Sequence, residues 1–165
     1  YAPTASNRQQ VSCTVITDPD TLRQIGDFTI NVFDAAAKKL MNPVVRFLFR
    51  PFLRQAYQYL PTLQRLKQRH EDGYDPILRK ATALILFHTP ASCHFGCEDS
   101  NLAYQNASLM AQSLGVTQIY MGYVIRAIQQ DSSGTFSRIT GIDEKIHAIM
   151  ALGIPSFRYL NYTER

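Results

Sequence analysis

The stretch Ala81-Thr82-Ala83-Leu84-Ile85-Leu86-Phe87-His88 constrains the fold of this chain more than any other. It is short and apolar almost throughout, as expected of a β-strand that is covered on both faces. A strand of that kind needs helices or a second sheet packed around it. The same stretch is the longest apolar run in the chain, and it is far too short to cross a bilayer. The sequence therefore predicts a layered fold without a membrane span.

The neighbouring segments supply the layers. Val11 to Thr17 alternates as a strand, with Val11, Cys13 and Val15 set against Ser12 and Thr14. Thr17-Asp18-Pro19 then reads as a helix start, with Asp18 as cap and Pro19 at the first helical position. Leu22, Ile25, Val32, Ala36 and Leu40 share one face of that helix, and Asn42-Pro43 stops it. From Val44 to Arg69 an apolar face runs beside arginines, while Pro51 and Pro61 argue for two or three short helices ending near His70-Glu71-Asp72-Gly73. This segment, residues 41–78, is expected to form a helical flap over a pocket. Asp99 or Ser100 can cap the next helix, where Leu102, Asn106, Leu109, Met110 and Leu114 recur at helical spacing before Gly115. Thr117 to Tyr123 predicts a third strand, followed by a short helix to about Gln130, a loop, a helix near Phe136 to Thr140, and a fourth strand over Lys145 to Ile154. The expectation is one α+β domain over residues 1–165, a mixed sheet flanked by helices.

At 165 residues, with 45% hydrophobic and 18% charged side chains, the chain is long enough for a true core and unlike a disordered one. Its net charge is +4, and ten of its 17 basic residues lie between Lys38 and Lys80. Such an excess suits nucleic acid, anionic lipid or a phosphorylated ligand. One reading is accordingly a non-enzymatic module that docks residues 46–69 on a membrane or nucleic acid. Three cysteines, Cys13, Cys93 and Cys97, form no disulfide framework and favour a cytoplasmic location. The chain opens Tyr1-Ala2-Pro3 without an initiator Met, as a fragment or a chain with its beginning missing would.

Side chains for catalysis are scarce. Cys93, His94 and Cys97 lack the second ligand pair that a structural zinc site needs, and no metal is expected. No nucleophile elbow, phosphate-binding P-loop or dinucleotide fingerprint is present, and no catalytic residue is assigned. If the chain is an enzyme, a cofactor carries its chemistry.

Four segments, in order, carry a resemblance to a known family. Ala2-Pro3-Thr4-Ala5-Ser6-Asn7-Arg8-Gln9, followed by a strand and the Thr17-Asp18-Pro19 helix start, resembles the flavin-binding loop of the nitroreductase family. Glu98-Asp99 with Ala103 to Ala111 and Ser113-Leu114-Gly115-Val116 resembles its long central helix. Ile119-Tyr120-Met121-Gly122-Tyr123 resembles its flavin-contacting strand end, and Ala151 to Tyr159 its final strand and basic tail. Two departures fall on the phosphate. The family's opening helix with its Arg-x-Ser-x-Arg motif would precede Tyr1, and Ser156-Phe157-Arg158 stands where many members have Lys-x-Arg. Some similar members also carry a ferredoxin-like iron–sulfur domain upstream.

The resemblance implies an interlocked homodimer that binds FMN and passes electrons from NAD(P)H, or another donor such as a ferredoxin-like protein, to an electron-poor small molecule such as a nitroaromatic or quinone. Nucleic acid and membrane have no part in that function. It places the cofactor against Pro3, Thr4, Ala5, Ser6, Asn7 and Gln9, against Met121 and Gly122, and on Arg158. Asn7 can meet the pyrimidine edge as donor and acceptor. The Gly122 amide can reach flavin N5 because no side chain stands in the way, and Arg158 offers a charged fork to the phosphate.

Overall fold

The computed structural model describes residues 2–49 and 54–155. In chain order the elements are β1 (Ser12–Ile16), α1 (Pro19–Met41), α2 (Pro43–Phe49), α3 (Arg54–Glu71), β2 (Ala83–Thr89), α4 (Gly96–Ser113), β3 (Thr117–Tyr120), α5 (Gly122–Ile128), α6 (Thr135–Thr140) and β4 (Lys145–Gly153). They fall into two compact units. One holds the four strands and α4, the other the remaining helices.

The sheet has the order β1-β2-β4-β3, and every pairing is antiparallel. The α+β class is as read from the sequence, but the sheet is not mixed among the described residues. The reason is topological. Strands β2 and β3, joined through α4, run in the same direction and would pair parallel as neighbours. The last strand, β4, lies between them and converts one parallel contact into two antiparallel ones. Leu84, Leu86 and Phe87 of β2 are buried, as its apolar run predicted. On the α4 side, Phe87, Tyr104, Ala148 and Met150 form a core with Ile85, Ala103, Ala107 and Leu152 packed on it. Tyr104 meets Phe87 and Tyr120 edge-on, with ring centroids 5.8 and 5.1 Å apart, and its hydroxyl donates to Gln118 Oε1. Burial pushes the pKa of its phenol up to about 12.

In the helical unit, Asp18 caps α1 by accepting from the Thr21 amide at 2.8 Å and its hydroxyl at 2.7 Å. Those bonds hold the Asp18 carboxyl below its ordinary value. The buried stripe of α1 is Leu22, Ile25, Thr29, Phe33 and Ala37, rotated from the expected Val32, Ala36 and Leu40, which are only half-buried. Phe28 and Phe33 account for the rotation, since they pack on Phe136 and Tyr123 at 5.5 and 5.8 Å. Within the 41–78 segment, α2 and α3 are helical, Pro51 lies outside the described residues, and α3 runs through Pro61 instead of breaking there. Helix α3 is tied to α1 by Lys67, 3.0 Å from Asp34, and by the Tyr57 hydroxyl, which donates to the Leu40 carbonyl at 3.0 Å. Among the described residues, no helix is long and apolar enough to cross a membrane.

Candidate functional site

Among the described residues, three of the five non-glycine residues with positive φ lie in the loop Pro3–Gln9. Ala5–Asn7 form a single 3-10 turn, with Ser6 at φ 53° and ψ 23°. Asn7 and Gln9 also have positive φ, at 52° and 50°. Three non-glycine residues in the left-handed region within four positions carry conformational strain, which persists only where surrounding bonds hold it. Those bonds are present. The Asn7 amide donates to the Thr4 carbonyl at 2.9 Å, and the Gln9 amide donates to Thr4 Oγ1 at 2.9 Å. The Gln9 side-chain amide donates to Asn7 Oδ1 at 3.2 Å. At the front of the turn, the Ala5 amide donates to Asp99 Oδ1 at 3.0 Å. Thr4, Ala5, Asn7 and Gln9 are thus gathered into one bonded loop, while Pro3, Ser6, Asn7 and Gln9 stay exposed.

Asp99 does not cap its own helix as the sequence suggested. Helix α4 starts three residues earlier, at Gly96, and Asp99 turns from its first turn to the loop. The start of α4 is fixed by close packing. A Cβ on Gly96 would lie 2.4 Å from Thr89 Oγ1 and 2.7 Å from His147 Nε2, two atoms that are themselves 2.9 Å apart. His147 is the extra residue of a β-bulge, since Phe87 pairs with Ala148 but His88 with Ile146. The bulge aims its ring at Thr89. Burial, and then Lys145, lower the His147 pKa, with Glu98 acting in the opposite direction.

The loop and the start of α4 enclose a pocket of about 110 Å³ lined by Ser6, Arg8, Gln10, Cys93, His94 and Asp99, among others. This grouping is not legible in the sequence, because its two sides are some ninety residues apart in the chain. A Thr14–His88–Glu144 chain was also missed: His88 Nε2 is 2.8 Å from Thr14 Oγ1, and Nδ1 is 2.6 Å from Glu144 Oε2. Among the described residues, no three His, Cys, Asp or Glu group as a metal site.

Met121 and Gly122 belong to the helical unit. The predicted third strand ends at Tyr120, and Gly122 opens α5 behind Met121, whose carbonyl accepts from the Ile125 amide at 3.1 Å. The Gly122 amide, at the first helical position, has no acceptor within its own helix. Gly122 is exposed, whereas the Met121 side chain is buried. Arg158 lies outside the described residues.

An antiparallel sheet with β4 in its interior, one long helix across it, and a strained, exposed loop anchored to that helix define an α+β protein. The model of the Nitroreductase family matches residues 1–154, and the chain belongs to that family. Its fold is similar to a nitroreductase with bound FMN from Desulfitobacterium hafniense DCB-2 (17% identity, 99% of this chain and 76% of that one, TM-score 0.69). A second FMN-bound nitroreductase, from Bacteroides fragilis NCTC 9343, gives 16% identity over 100% and 77% of the two chains, with a TM-score of 0.67. An FMN-dependent nitroreductase from Mycobacterium smegmatis in complex with NADPH gives 14%, 94%, 73% and 0.58 in the same terms. No curated protein matches the chain in sequence.

Proposed function

We propose that this protein is an FMN-dependent oxidoreductase that takes electrons from NAD(P)H, or from a ferredoxin-like donor, and delivers them to an electron-poor small molecule such as a nitroaromatic or quinone. The observation that carries this reading is the preformed loop, exposed and already bonded at residues 4–9. The residues present fit a flavin. Pro3, Thr4, Ala5 and Ser6 offer a low backbone ridge to a flat ring, and the exposed Asn7 and Gln9 amides can each donate and accept at a pyrimidine edge. The free amide of Gly122, beside Met121, is a donor for the N5 side of the ring, and Arg158 is the cation for the phosphate. Bound there, FMN would supply reversible electron storage between donor and acceptor. The chain's own residues position the ring and exclude water. None is assigned as acid, base or nucleophile.

On this reading the protein is cytoplasmic and homodimeric, and residues 1–165 act as one domain with the 41–78 segment as its flap. Supporting the dimer, Leu109, Met110 and Leu114 at the end of α4 are 57, 62 and 69% exposed, an apolar row that a second copy would cover. Dilution followed by light scattering is expected to show no folded monomer, and a stable monomer at micromolar concentration would refute the dimer. FMN and riboflavin titrations, followed by flavin fluorescence, test the function. Both are expected to bind through the ring, with FMN the tighter, and binding of neither would refute the proposal.

A further inference from the structure

We infer that Asp99 is the positioning residue of the flavin loop, an inference that rests on the FMN reading above. The Asp99 carboxylate is 5% exposed and sits in the first turn of α4, where the helix dipole favours its charge. It accepts the Ala5 amide at 3.0 Å across 94 residues of sequence. Asn7, Arg8 and Gln9 bond back to Thr4 or Ala5, so they shape the loop without locating it. The bond to Asp99 locates it. The carboxylate stands one turn into a helix whose start packs on the sheet with no room for a Cβ between Gly96 and Thr89 or His147. The sheet therefore sets the position of the loop through Gly96 and Asp99.

The consequence concerns binding. A ring that meets an already ordered loop does not bear the cost of ordering it. Freed from Asp99, the loop would keep its internal bonds but lose its place against α4, and its contacts to a flavin ring would have to be regained on binding. That loss falls on the ring and not on the phosphate.

The test compares Asp99→Ala and Asp99→Asn with the unsubstituted protein, by FMN and riboflavin titration and by amide hydrogen exchange of residues 5–9 without flavin. Asp99→Ala is expected to weaken both flavins by the same factor, about ten- to hundredfold for a charge-assisted bond, and to speed exchange at Ala5. Asp99→Asn keeps an acceptor oxygen without the charge and is expected to fall between the two proteins in both measurements. A fall in melting temperature with flavin affinity unchanged would overturn the inference, as would a loss confined to FMN. If Asp99→Ala does not fold, Asp99→Asn decides: faster exchange at Ala5 with unaltered affinity overturns the inference. Binding of neither flavin by the unsubstituted protein overturns the FMN reading and the inference with it.

Discussion

Gly96→Ala tests how rigidly the start of α4 is seated. An alanine usually stabilises a helix relative to glycine, by up to about 1 kcal/mol. Here its methyl group would lie 2.4 Å from Thr89 Oγ1, roughly 1 Å inside ordinary contact. Thr89 is fully buried and β-branched, so its oxygen can move aside only by changing rotamer. That change breaks the 2.9 Å Thr89–His147 bond and leaves a half-buried imidazole short of a partner. Overpacking costs ~1–3 kcal/mol and the lost bond about 1 kcal/mol more. Set against the helix gain, the net destabilisation is about 1–3 kcal/mol, or roughly 2–12 °C in melting temperature for a chain of this size. Thermal melts followed by circular dichroism measure it. The same substitution in a Thr89→Ala background is expected to cost less, because the nearest clashing atom is gone. A Gly96→Ala protein as stable as its parent, or more so, would refute the packing argument.

Two further outcomes follow from the same unit. Ser100 is fully buried with no hydrogen-bond partner for its hydroxyl among the described residues, so Ser100→Ala is expected to raise stability by up to about 1 kcal/mol; a lower urea midpoint would show that the hydroxyl does have a partner. His147 is held below its ordinary 6.5 by burial first, so the stability it contributes is full above that value and is lost as pH falls through the lowered one. Melting temperatures at pH 8 and pH 5 are expected to differ less for His147→Gln than for the parent, and an equal acid loss in both would contradict this.

Local rules exposed the parts of the fold that depend on local chemistry. Asp18 and Pro19 marked the start of α1 because a cap and a fixed φ act within one turn. The run at Ala81–His88 marked β2 because a doubly covered strand has no polar face to show. Local rules failed wherever a distant residue takes the bond. Asp99 has the chemistry of a helix cap, but its acceptor oxygen is taken by Ala5. Phe28 and Phe33 of α1 outweighed the Val32 stripe because aromatic partners from α6 and α5 lie on their side. Pro61 stayed within a helix, against its usual effect, where tertiary ties from Tyr57 and Lys67 fasten α3 to α1. In the candidate loop, Pro3, Ser6 and Asn7 marked a turn, but nothing in their sequence announced three left-handed residues or the helix that anchors them.

The place of β4 governs when the protein can fold during synthesis. It is the last of the described strands to be made, yet it pairs with both β2 and β3, and Ala148, Ile149 and Met150 are fully buried. Until Gly153 has left the ribosome, β2 and β3 each present an unpaired edge and an open apolar face to solvent. The nascent sheet cannot close strand by strand from the front. It has to wait for its centre, and closing long loops to reach it makes for slow folding. A growing chain in that state is a natural client for chaperones that shield strand edges, and a ribosome stalled shortly before residue 145 would hold an incomplete sheet with its middle missing.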